Sequence, residues 1–308
     1  MSTSDSLQSP LAREEYVEQA HFFTVLAERM AENIPAQEVL AAVREEVLAT
    51  TKLPMAIDFL LAELRHQGEF ASGMHKLSHY FTPFQCYVMA EAENVRQRFD
   101  LRIGLLVLAR EASYRTVDHA TRQGLFVYQF ETLCRNRLGY DDGLEAMSHD
   151  PSYNETWSEW LLTVRRQVGL VELADLIYVR SEFYQDRAER AGASSTPIDS
   201  APPPDQIGGE DAPARTIHAP ETLFGVQEGR IAWANRRKDP ILLFSALHRH
   251  LDYPAVPRPE PANPEERLLP VLARRVEQLE ARLRLVEEEQ RGGIDLAKFY
   301  AENQPKLP

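Results

Sequence analysis

Apolar residues recur at helical spacing through the first 115 positions. From Glu14 to Met30, the side chains Val17, Phe22, Val25, Leu26 and Met30 fall on one side of a helical repeat, and Asn33, Ile34 and Pro35 close the segment. Asn33 suits a left-handed C-terminal cap, and Pro35 suits the first position of a following helix. That second helix is expected from Pro35 to Leu48, with Val39, Leu40, Val43 and Val47 on its apolar face. A third spans Pro54 to His66 and stops at Gly68. A short helix follows over Ala71 to His79, then one from Pro83 to Val95 and another from Leu101 to Tyr114. Helices joined by such short loops predict an antiparallel bundle over residues 12–115.

The same period continues over 116–191, which reads as a helical extension or a second small bundle. Leu125, Tyr128, Phe130, Leu133 and Leu138 mark a helix ended by Gly139; Asp141 to Met147 forms a short one, and longer helices cover Trp157 to Val168 and Leu170 to Arg190. No strand-like alternation interrupts the series, so the predicted class is all-α. Residues 192–220 then change to Ala, Ser, Pro, Gly and Asp, including Pro202, Pro203, Pro204, Gly208 and Gly209. Such a stretch offers little to bury against the entropy of ordering and predicts a flexible, disordered linker.

Beyond the linker, 221–253 reads as a short helical segment. Asp239 before Pro240 is a strong helix start, and the helix should run to Leu251. Leu223 to Asn235, with Gly225 and Gly229, fits a helix or a small hairpin, with the helix favoured. A Pro-rich break from Pro254 to Pro264 precedes a heptad-like pattern over 264–291. Its seam residues are Leu269, Leu272, Val276, Leu279, Leu283 and Val286, flanked by Arg and Glu. They predict an amphipathic helix that forms an intermolecular coiled coil or packs on the body. The tail, 292–308, carries the apolar cluster Leu296, Phe299 and Tyr300.

Composition narrows the classes of function. The 308 residues carry 47 acidic and 34 basic side chains, a formal charge of −13, spread along the chain. A net negative surface repels phosphate backbones, which disfavours a nucleic-acid partner. Two cysteines, Cys86 and Cys134, are too few for a disulfide framework or a four-thiolate zinc site. The polar start, Met1 to Pro10, lacks a signal-peptide pattern. The longest apolar runs, Ile103 to Ala109 and Ile241 to Phe244, are far shorter than the roughly 20 residues that span a bilayer. A cytoplasmic location without a membrane span, with peripheral association left open, is therefore expected.

Chemistry-bearing motifs are sparse. Neither the P-loop pattern GxxxxGK[ST] nor the dinucleotide pattern GxGxxG is present, nor are a nucleophile elbow and the HExxH zinc motif. His75 and His79 lie four apart, a spacing that aligns two imidazoles on one helical face and makes them weak metal-ligand candidates. Glu91 and Glu93, in an otherwise apolar helix, are the carboxylates that would join them, or would pair with Arg96 or Arg98. His248 and His250, two apart, face different ways. Arg236, Arg237 and Lys238 form a compact basic cluster, and Trp157, Trp160 and Trp233 read as core or interface anchors.

One resemblance emerges. Phe22-Phe23, Leu26-Ala27, Ile34-Pro35 and Val39-Leu40 match the opening of the type II secretion F family pattern. That pattern describes the cytoplasmic helical domain of platform proteins in type II secretion systems and type IV pili. Ala56 to Leu64, Gly68, Phe70-Ala71, Met74, Phe81 and Pro83 match its middle, and Ala90-Glu91 to Glu93 with Leu101 to Ala109 match its end. Residues 22–111 thus resemble that domain, with Asn33 in place of the family's usual glycine. The membrane helices that follow the domain in family members are absent. The resemblance implies a helical bundle devoted to protein contacts. The sequence as a whole points to a non-enzymatic scaffold or adaptor without a cofactor, one that binds protein partners or itself, in a secretion or pilus-type assembly. The alternative is a helical metal-dependent enzyme or metal-binding module built on His75, His79 and nearby carboxylates.

Overall fold

A computed structural model describes residues 11–32, 34–94, 99–193 and 221–258, all within the unit Met1–Arg258. The heptad residues Leu269, Leu272, Val276, Leu279, Leu283 and Val286, the tail, the core of the expected linker and the Asn33 cap lie outside the described residues. The fold is all-α: the described residues form thirteen helices and no strand.

The first six helices are α1 (Arg13–Ala31), α2 (Ala36–Glu46), α3 (Leu53–Gln67), α4 (Phe70–Lys76), α5 (Pro83–Glu93) and α6 (Leu101–Arg115). Neighbours along the chain pack on one another, and α1 closes the set by lying along α6 as its principal partner. The boundaries follow local chemistry. Pro35 precedes the first residue of α2, Gly68 adopts the left-handed conformation that ends α3 (φ 81°), and Asp100 caps α6 by accepting from the N–H groups of Arg102 and Ile103. Thr82 and Gln85 form a reciprocal capping box at α5 with Pro83 in the first turn. One face of each helix then feeds a shared core of Phe22, Phe23, Leu26, Leu40, Ile57, Leu60, Phe84 and Leu105.

Seven more helices follow: α7 (Arg122–Asn136), α8 (Tyr140–Ser148), α9 (Glu155–Gln167), α10 (Leu173–Val179), α11 (Glu182–Ala193), α12 (Val226–Asn235) and α13 (Pro240–Leu251). Two boundaries depart from the pattern-based expectation. Helix α7 ends at Asn136, before Gly139, because Arg137 takes the left-handed conformation (φ 57°) and the Leu138 N–H donates to Leu133 O. Burial of Leu138 fixes this Schellman-type end without glycine, and Gly139 instead precedes α8.

The helix expected from Leu170 to Arg190 is broken in two. At the break, the returning segment Leu223–Phe224 pairs with Arg180–Glu182: the N–H groups of Leu223 and Phe224 donate to Arg180 O, and that of Glu182 donates to Phe224 O. Phe224 then packs its ring edge-on against both Trp157 and Trp160, with centroids 5.3 Å from each. Residues 221–235 form a helix after this short extended entry, and α12 packs against α10, α11 and α13.

Candidate functional site

A cleft forms where α13, the C-terminal part of α7 and the segment 252–258 meet. Asp239 starts α13 by accepting from the Ile241 N–H, and the face bearing Leu243, Phe244, Leu247 and Leu251 turns inward. Ile241, Ser245, His248 and Arg249, at helical spacing, are left along one edge. Asp252 ends α13 in a left-handed conformation (φ 49°) that Asp tolerates better than most residues, and the chain turns back as a strap.

The strap is pinned by side chains from two helices. Arg110 of α6 donates through Nη1 to Ala255 O at 2.5 Å, and Asn136 of α7 donates through Nδ2 to Pro257 O at 3.2 Å. The buried Tyr253 donates its hydroxyl to Glu131 Oε2 at 2.6 Å while its ring stands edge-on to Tyr128 and His248. Burial, and next the Glu131 carboxylate, push the Tyr253 hydroxyl well above the ordinary tyrosine range.

The resulting cavity, about 510 Å³, has Phe244 and Val256 in its wall and Ile241 at its mouth, where Ile241 remains 54% exposed. Three arginines line it: Arg135, Arg249 and Arg258. The one carboxylate in the lining, Glu131, is engaged through both oxygens, by Arg135 Nε and by the Tyr253 hydroxyl. Arg249 and Arg258 are exposed and have no hydrogen bond or ion pair with any described residue. The cleft thus presents an excess of positive charge beside apolar surface on a chain whose total charge is −13. Ser245 and His248 lie three apart on α13 but share no hydrogen bond. The arrangement is suited to binding an anionic group together with an apolar one.

A second cluster of charge is sealed. The Arg115 guanidinium, inaccessible to solvent, contacts Glu111 Oε1 at 2.9 Å, Asp150 Oδ2 at 2.5 Å and Ser152 Oγ at 2.5 Å. Gln129 donates to Glu111 Oε1 and accepts from the Tyr153 hydroxyl, and Arg122 Nε donates to Ser152 O. Burial opposes the Arg115 charge, yet Asp150 and Glu111 outweigh it and hold the pKa well above the usual value. With side chains at 0% exposure, this network ties α6, α7 and the α8–α9 turn together and offers no entry for a substrate.

The residues singled out from sequence are dispersed. Helix α4 ends at Lys76, because the Leu77 N–H turns to Gly73 O and Met74 O and the chain dives to bury Tyr80 and Phe81. His75 is therefore on the last helical turn and His79 in the turn beyond it, both exposed and without a common helical face. Glu93 accepts the N–H groups of Phe70 and Ala71 at 2.6 and 2.8 Å, fastening α5 to the start of α4, while Glu91 lies two positions earlier on α5. Among the described residues, no group of three or more His, Cys, Asp or Glu side chains is placed to hold a metal ion.

The Arg236–Lys238 cluster is partly consumed within the fold. Arg236 lies 3.4 Å from the centroid of the Trp233 ring and contacts Asp175, while the Arg237 N–H donates to Glu172. Arg187 covers the same indole at 4.1 Å, so Trp233 is gripped by two guanidinium groups, whereas Trp157 and Trp160 are core. Cys86 and Cys134 are free thiols, which burial pushes up to about 12 and about 11 respectively.

Sequence reasoning missed the cleft. Its arginines are scattered over 135–258, and Pro254–Pro257 read as a break. The pair Asp252-Tyr253, a residue able to turn left-handed before an aromatic anchor, was the one local signal. No described helix is long and apolar enough to cross a membrane. No family model, curated protein or solved structure matches this chain.

Proposed function

We propose that this chain is a non-enzymatic scaffold or adaptor that holds a protein partner in the cleft between α7, α13 and the 252–258 strap. The observation that carries the reading is the pair of unmatched arginines, Arg249 and Arg258, standing beside an apolar wall. The buried charges Glu111, Arg115 and Asp150 answer one another, so these two are available for an external group. The similarity of residues 22–111 to the F-family domain supports a place in a secretion or pilus-type assembly. The heptad spacing from Leu269 to Val286 supports self-association.

The test is co-purification with the tagged full chain and with an Arg249→Glu, Arg258→Glu double variant. A discrete protein retained by the first and lost from the second is expected, and for the assembly reading it is a membrane platform or its ATPase. Equal retention on both, or none on either, overturns the cleft-based adaptor. Self-association is read separately by light scattering on the full chain and on a version ending near Pro264. Identical monomeric masses would remove that part.

A further inference from the structure

Resting on the docking reading, we infer that the cleft selects an acidic peptide segment of a partner protein, with carboxylate side chains flanking a bulky apolar residue. Charge complementarity argues for it. Arg249 and Arg258 reach no acid among the described residues, and Glu131 is neutralised in place by Arg135 and hydrogen-bonded by Tyr253. Arginine presents a planar fork that matches a carboxylate through two parallel hydrogen bonds, so a carboxylate side chain gains both geometry and charge there. Phe244, Val256 and the exposed Ile241 supply the second half of the recognition, a surface for an apolar anchor.

The cavity suits a few side chains and is too small for a duplex groove. The surplus of acid over the rest of the molecule repels a long polyanion while leaving a short acidic segment held locally. The strap gives the site a fixed wall, because its carbonyls at Ala255 and Pro257 are held by Arg110 and Asn136.

Fluorescence anisotropy of the full chain with labelled peptides tests this. The probes are a peptide with Asp and Glu around a Leu-Phe pair, its Asn/Gln counterpart, a version with Leu-Phe replaced by Ser-Ser, and a single-stranded oligonucleotide. The acidic Leu-Phe peptide should bind at least about tenfold more tightly than either altered peptide, and should weaken as salt rises. Arg249→Glu with Arg258→Glu should weaken it by about tenfold or more while leaving helicity and the melting temperature unchanged, since both side chains are exposed and neither hydrogen-bonds or ion-pairs with a described residue.

If the neutral Leu-Phe peptide binds as tightly and ignores the double variant, the acidic preference is wrong although a docking cleft survives. That survival is confirmed when Ser245→Trp, which fills the cleft, abolishes its binding. If no peptide responds to Ser245→Trp, the docking reading itself is wrong. Tighter binding of the oligonucleotide, lost in the double variant, would replace the peptide with a polyanion.

Discussion

Arg115 carries its charge where water does not reach, and its neighbours make that tolerable. Asp150 and Glu111 supply two carboxylates, and Ser152 and Gln129 add hydrogen bonds, although Glu111 Oε2 and Arg115 Nε make none among the described residues. Removing Asp150 takes away one of the two carboxylates that offset the buried Arg115 charge, so Asp150→Ala should cost about 3–5 kcal/mol in denaturant unfolding. Glu46→Ala, which breaks the half-exposed pair with Arg29, should cost less than about 1 kcal/mol. Similar costs for the two would contradict the buried network. The thiols make a second test at this scale. Burial holds Cys86 and Cys134 protonated at neutral pH, and the thiolate is the nucleophile. Disulfide reagents should label both slowly in the folded chain and quickly after unfolding; fast labelling of native protein would contradict their placement.

Helix ends that rest on adjacent residues were legible in the sequence. Asp239-Pro240 starts α13 and Gly68 ends α3 as their chemistry dictates. Ends set by distant partners were not legible. The break between α10 and α11 depends on Leu223 and Phe224, which meet Arg180–Glu182 only after the intervening segment has returned. Ser181 makes that junction by donating to Tyr178 O and accepting from the Tyr184 N–H, and α12 approaches it through Gly229. A Cβ at Gly229 would lie 2.2 Å from Ser181 Oγ and 2.5 Å from Ser181 Cβ. Gly229→Ala should therefore destabilise the protein by about 1–3 kcal/mol, measured by chemical denaturation. A neutral effect would show that α12 does not seat there. His75 and His79 are kept off a common helical face for a related reason: their spacing assumed a helix that burial of Tyr80 and Phe81 cuts short at Lys76. The cleft was illegible because α7, α13 and the strap meet only in the folded chain.

Across the whole molecule, buried tyrosines bind distant elements together. Tyr80 donates to Glu15, Tyr128 to Val107 O, Tyr153 to Gln129 and Tyr253 to Glu131. Burial above all raises the pKa of each. A raised folded pKa favours the protonated form, so this stability is complete below the unfolded tyrosine value of about 10 and is lost as pH climbs above it. Tyrosinate absorbance from these groups should rise together with loss of helical circular dichroism. Titration at the ordinary value with helicity intact would contradict their burial. The same folded unit holds the strap against α7 and α13 through Arg110, Asn136 and Tyr253, and it gives the adaptor reading its site. The most direct measurement of that reading places a photo-crosslinking amino acid at Ser245, inside the cleft, and another at the exposed Met55 on α3, in cells that make the full chain. One discrete protein adduct is expected from position 245, absent at 55 and abolished by Arg249→Glu with Arg258→Glu. Identical adducts at both positions, or an adduct at 245 indifferent to the arginines, would contradict that reading.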